Sequence, residues 1–100
     1  MIAIEFHAAA QAELDASIAF YESHVEGLGE RFLKQVEETT GRIVSSPDAG
    51  APLTGGLRKR LVPGFPFTMI YRVLDDHVVI LAIAHQHRRP GYWQQRAEHR

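Results

Sequence analysis

The sequence predicts a small mixed fold in which helices and strands are segregated along the chain, in the order strand, helix, helix, strand, strand, strand. Three observations predict it. Apolar residues alternate near the N-terminus, recur at intervals of three and four through the first half, and return to strand-like runs after residue 57. Glycine and proline gather between these stretches, at residues 27–29, 47–56 and 63–66. Two β-rich runs, residues 65–73 and 77–85, flank the acidic pair Asp75-Asp76, which reads as a hairpin turn. With 100 residues, 45% of them hydrophobic, the chain suits one domain spanning residues 1–100.

Each element has a local justification. Ile2, Ile4 and Phe6 alternate with Ala3 and Glu5, the period of a strand with one covered face. From about residue 8, Leu14, Ile18, Tyr21 and Val25 line one face of a helix reaching about residue 26, with Glu13, Asp15 and Glu22 largely off that face. Gly27 and Gly29 then permit a reversal between antiparallel helices. The second helix carries the stripe Phe32, Leu33, Val36, Thr40, Ile43 and Val44. Glu30–Lys34 and Glu38–Arg42 stand at i,i+4, where a pair contributes about 0.2–0.5 kcal/mol. Ser45, Ser46 and Pro47 end the helix, because proline disfavours helical geometry in the residue before it. Residues 48–56 read as loop.

The second strand, residues 57–62, contains Arg58, Lys59 and Arg60, whose side chains must alternate between the sheet faces. In the third, Phe67, Met69, Tyr71 and Val73 share one face and Thr68, Ile70 and Arg72 the other. The fourth is apolar on both faces over residues 78–84, as a central strand covered on two sides would be. After Pro90, residues 92–96 suit one helical turn that lays its aromatics back on the sheet, and the last few residues are expected to fray.

Composition excludes several function classes. The absence of cysteine removes disulfides, thiolate chemistry and cysteine-based zinc sites. The apolar run at 78–84 is far too short for a membrane span and the N-terminus has no basic leader, so a cytoplasmic protein is expected, with no membrane partner. The formal net charge of −1 hides a split. Residues 1–50 hold three Lys/Arg against nine Asp/Glu, and residues 51–100 hold eight against three. One fold can therefore show an anionic partner a cationic face, although solvated helix faces balanced by arginines would give the same totals. His85 and His87 have no third ligand at a recognisable spacing, so no metal or other cofactor is expected.

The whole chain resembles the RelE/ParE superfamily of toxins from bacterial type II toxin–antitoxin systems. The residues that carry the resemblance are Ala12, Leu14, Phe20 and Tyr21 in the first helix and Leu28, Gly29, Phe32 and Leu33 opening the second. The basic second strand follows, then Phe65-Pro66-Phe67 with Tyr71-Arg72, and the ending His85, Arg88, Pro90, Tyr92, Trp93 and Arg96. The resemblance implies an α+β domain, β-α-α-β-β-β, with a helical hairpin packed on one face of a mostly antiparallel sheet. It also implies a growth-inhibiting toxin held by a cognate antitoxin in a hetero-oligomer, the antitoxin laying a helix in a groove or adding a strand to a sheet edge.

The family holds two unlike activities. One branch, similar to RelE, is a metal-independent endoribonuclease that cleaves mRNA on the ribosome, which requires a proton acceptor for the 2′-hydroxyl, cations for the phosphorane and a donor for the leaving oxygen. The residue types that match here are Arg58 or Arg60, Arg72, Arg88 and Tyr92, with His85 as acid or base or else a hydrogen-bonded structural histidine. The other branch, similar to ParE, poisons DNA gyrase and needs only a binding surface, for which Arg58, Lys59, Arg60, Arg88, Arg89, Tyr92 and Trp93 are the candidates. The single lysine of the basic half and the Arg-Pro-x-Tyr ending favour this second branch. A member that only binds its antitoxin is the third expectation. Arg72 has a structural alternative in pairing with Asp75 or Asp76, and Tyr71 and Trp93 in core packing.

Overall fold

The computed structural model describes residues 3–98. Strand β1 (Ala3–Phe6) leads into helices α1 (Ala8–His24) and α2 (Leu28–Ser45), followed by β2 (Ala51–Pro52), β3 (Leu57–Leu61), β4 (Phe67–Val73), β5 (His77–His85) and a short helix α3 (Gln94–Glu98). The strands form one sheet in the order β1-β5-β4-β3-β2. β1 runs parallel to β5 and the other neighbours are antiparallel. This is the expected α+β fold, with the helical hairpin on one face.

Several local expectations change. Residues 48–56 are not plain loop, because Ala51 and Pro52 pair with Lys59 and Arg58 and form an edge. The predicted second strand is therefore the third. α1 stops at His24, and Val25 turns outward as its C-cap instead of joining the apolar face. In α2 the fully buried threonine is Thr39, not Thr40; each satisfies its hydroxyl by donating to the carbonyl four residues back, Gln35 and Val36. Among the described residues Glu30–Lys34 and Glu38–Arg42 do not close as ion pairs, and Arg42 donates instead to Thr39 Oγ1 at 3.5 Å. Ile2 and the C-terminal residues expected to fray lie outside the described residues.

The hairpin turn is built from one acid and two glycines. Gly27 adopts φ +85°, where a side chain strains the backbone, and a Cβ on Gly29 would stand 2.7 Å from the Ile18 carbonyl oxygen, where it must displace its neighbours. Glu22, expected on a solvated face, accepts from the N–H groups of Gly27 and Gly29 at 2.9 Å each. Its charge thus meets the unpaired donors at the start of α2.

Two apolar clusters lie on opposite sheet faces. Under the helices, Leu14, Phe32, Val36 and Ile43 pack on Phe67, Met69, Tyr71, Val78, Ile80 and Ile83. On the other face Leu57, Ile70, Val79, Leu81, Ala82 and Ala84 are covered by Leu53, Leu74, Tyr92, Trp93 and Ala97. β5 supplies both clusters, as its apolar run requires. It also carries a bulge: Ile70 pairs Ala82 while Tyr71 pairs Ile80, leaving Leu81 without a partner on β4. The Tyr71 hydroxyl, fully buried, donates to Pro47 O at 2.7 Å and accepts from Gly50 N at 3.2 Å. A Cβ on Gly50 would collide with that hydroxyl, so this position must be glycine.

Candidate functional site

β1 covers β5 only from His77 to Ile80, and past that point the β5 edge has no strand beside it. Backbone groups there must find other partners. Ile83 N–H donates to Glu13 Oε1 at 3.0 Å, and Leu81 O accepts from Arg96 Nη1 at 2.9 Å. Glu13 and Arg96 in turn meet as a bidentate pair, Nη1 to Oε1 at 3.0 Å and Nη2 to Oε2 at 2.9 Å. An ion pair from α1 and the C-terminal segment thus takes the place of a missing strand. Its side chains keep only 16% and 17% exposure, a setting in which fork-shaped charge-assisted bonds are strong.

The same carboxylate collects more. Tyr92 donates its hydroxyl to Glu13 Oε2 at 2.9 Å, and Arg88 Nη1 stands 3.9 Å from that oxygen. The Arg88 guanidinium lies 3.9 Å over the Tyr92 ring centroid and that of Arg96 at 5.0 Å, both within cation–π range. Burial, then the bond to Glu13 and its negative charge, push the Tyr92 phenol up to about 12, against the opposing pull of Arg88 and Arg96. Arg96 is also raised, first by its bond to Glu13.

The residues expected to form one outward surface are divided. Arg58 and Arg60 stand opposite Tyr71 and Met69 and so take the helical side, while Lys59 and Arg72 take the other. Arg58 Nη1 donates to Gly50 O at 2.8 Å. Arg72 Nη1 donates to Ala97 O at 3.3 Å, in place of the pairing considered with Asp75 or Asp76. Asp76 bonds His77 instead, at 2.7 Å. Arg60 keeps its Nε buried without a partner, beside Arg42 and Ser45 in a shallow depression at the end of α2. His85 packs edge-on against Phe67 at 5.0 Å and stacks on His87 at 5.1 Å. Its Nδ1 accepts from His87 N at 3.0 Å, which places the proton of the neutral ring on Nε2. Arg89 is exposed, Arg88 is 55% exposed, and Trp93 is half-buried in the tail-side cluster. Among the described residues no group of three His, Asp or Glu could hold a metal ion, and no helix is long and apolar enough to cross a membrane.

Comparison with known proteins gives this arrangement a family. Residues 4–90 match the family described as the ParE toxin of the type II toxin–antitoxin system parDE. The chain belongs to this toxin family. Among solved structures, the toxin is similar to a chain of the chromosomal ParDE toxin–antitoxin system from P. aeruginosa, with 27% identity and a TM-score of 0.64, over 85% of this chain and 96% of that one. A chain of the YoeB dimer from Staphylococcus aureus, at 17% identity and TM-score 0.60 over 84% of this chain and 95% of that one, shares the fold. No curated protein matches significantly.

Within this toxin, Glu13 is the residue that the sequence reading missed. Its place largely off the apolar face of α1 suggested solvent. The sequence did carry one signal: an acid in the alanine-rich first half of the helix, in a chain whose last part is rich in arginine, has cations to meet once the helix packs on the sheet.

Proposed function

We propose that the chain is a toxin of the gyrase-directed kind, acting by binding DNA gyrase and held inactive by a cognate antitoxin. The observation that carries this reading is the commitment of Arg58, Arg72 and Tyr92, three of the six side chains matched to RNA cleavage. Tyr92 donates a hydrogen bond to Glu13 and its phenol is pushed up to about 12, so it is no general base near neutrality. Arg58 and Arg72 hold backbone carbonyls, and Arg96 holds both Glu13 and Leu81 O. Cations spent in this way are not poised around a phosphorane. A binding toxin loses nothing by such bonds, because they fix the shape of its surface. The family description and the ParDE relative support the same branch.

The purified toxin is expected to inhibit supercoiling by DNA gyrase and to trap cleaved DNA. A protein that leaves supercoiling untouched and traps no cleaved DNA refutes the reading. The nuclease alternative is tested by replacing Arg72, Arg88 and Tyr92 singly; it requires ribosome-dependent mRNA cleavage by the wild type that at least one change abolishes.

A further inference from the structure

The face of the sheet opposite the helices is closed at one end and open at the other. Tyr92, Trp93 and Ala97 cover Leu81, Val79 and their neighbours, but the cover stops short of the strand ends where Leu61 and Thr68 pair. There Leu61 stands 73% exposed. Next to it is a depression of about 250 Å³ whose floor includes Leu53 and Ile70 and whose rim includes Lys59, Thr68, Arg88 and Trp93. No aspartate or glutamate lines it. Lys59 is exposed and its ammonium makes no hydrogen bond or ion pair among the described residues. The Trp93 indole N–H is buried without an acceptor, which leaves a donor whose bond to water has been lost and not replaced.

From this juxtaposition we infer that the open end of the tail-covered face, from Leu61 and Lys59 to Trp93, is where the toxin grips its protein target, and that the occupant is an acidic side chain on an apolar segment. The inference deepens the proposed function and rests on it in one respect, that the chain acts by binding a protein. Each half of the occupant answers a feature of this surface. Its apolar part covers Leu61 and the Leu53–Ile70 floor, a surface otherwise left to water. Its carboxylate faces Lys59 and the half-exposed Arg88 and offers the acceptor that Trp93 lacks. Tryptophan and arginine are the residue types that dominate binding energy in such settings.

A nucleic-acid occupant is disfavoured by the count of available cations. Phosphate backbones are held by several Lys or Arg at once, each contact adding to the salt dependence. Around this depression Arg72 is bonded to Ala97 O and Arg96 to Glu13, and Arg88 is partly engaged with Tyr92, so Lys59 is the uncommitted cation of the rim. One free ammonium and one half-engaged guanidinium beside an apolar floor suit a carboxylate better than a polyanion.

The test uses the full chain expressed without antitoxin. Lys59→Glu, Leu61→Ser and Trp93→Phe are compared with wild type for the dose that arrests growth, after circular dichroism shows each to be folded. Trp93→Phe keeps an aromatic side chain and removes the N–H; Lys59→Glu alters an exposed position, so it keeps the test decisive if the aromatic variant fails to fold. The expected result is at least a tenfold loss of potency for Lys59→Glu and for Trp93→Phe, with a matching loss of binding to purified DNA gyrase. Both variants as toxic as wild type would overturn the inference. A wild type that arrests growth without affecting supercoiling removes gyrase as the target, and the growth comparison still decides the surface. A wild type that does not slow growth overturns both readings. Binding of a short RNA oligonucleotide that Lys59→Glu abolishes, and that falls steeply with salt, would replace the acidic protein segment by a nucleic acid.

Discussion

Under the helices, Tyr21, Phe32, Phe65 and Phe67 meet ring to ring with centroids 5.0–6.2 Å apart, while on the opposite face a short C-terminal segment is tied to the body chiefly through the Glu13 carboxylate, with Leu81 O and Arg72 beside it. The first closure is a matter of apolar area and ring packing, spread over two helices and three strands. The second also buries Tyr92 and Trp93, but it is located by charge and by hydrogen bonds from a few atoms. The difference teaches where the molecule is robust. A face held by many small contacts yields only when the whole fold yields, whereas a cover positioned by a few polar bonds can open by itself.

The largest effect should come from Phe32→Ala, which removes a fully buried ring from the centre of the aromatic group. A loss of about 3–5 kcal/mol is expected in urea unfolding, with far-UV dichroism and fluorescence of Trp93 changing together. Separate transitions would show that the helical face is not one cooperative unit. Glu13→Ala should come next, at about 2–3 kcal/mol, below the ~3–5 kcal/mol of a fully buried broken pair because both partners keep some exposure. Here the probes should part: a red shift of Trp93 emission and faster exchange of the Ile83 amide, with helix content retained. Loss of helix to the same extent would contradict the division between the faces.

Alkaline titration sharpens the comparison further. The folded-state value of Tyr92 is raised, so its contribution is complete below the ordinary tyrosine value near 10 and is lost as pH climbs to about 12. The tail should therefore loosen between about pH 10 and 12 while the aromatic face holds, as followed by tyrosinate absorbance and Trp93 emission. In Glu13→Gln the Tyr92 midpoint should fall, yet stay above 10, since burial is the larger cause. The smallest effect on folding should be that of Leu61→Ser, within about 0.5 kcal/mol in the same urea experiment, because the side chain is already in water.

How far the sequence disclosed this arrangement depended on the range of each interaction. Strand and helix positions were legible from the spacing of Leu14, Ile18 and Tyr21 and from the alternation of Phe67, Met69 and Tyr71, because those patterns are local. The two-residue strand Ala51–Pro52 was not, since a glycine- and proline-rich stretch pairs only when β3 is already in place. The candidate site was legible as a composition and illegible as a geometry. Arg88, Tyr92 and Arg96 were visible as a cluster, but the acid that binds them lies more than seventy residues away, and no spacing rule connects Glu13 to Arg96. Alternation alone did separate Lys59 from its neighbours Arg58 and Arg60, and that separation is what the structure keeps.

The unpaired Leu81 has a consequence for comparing relatives. Up to Ile80 the even-numbered positions of β5 look toward the helices; from Ala82 onward the odd-numbered ones do, so that one inserted residue inverts the parity of everything after it. In a homologue lacking the insertion, the residue counted off without a gap as His85 would face the C-terminal tail, and the one counted off as Ala84 would lie beneath the first helix. Alignments drawn without a gap at this point would equate side chains that live on opposite sides of the molecule, and any residue roles transferred beyond it would be transferred to the wrong surface.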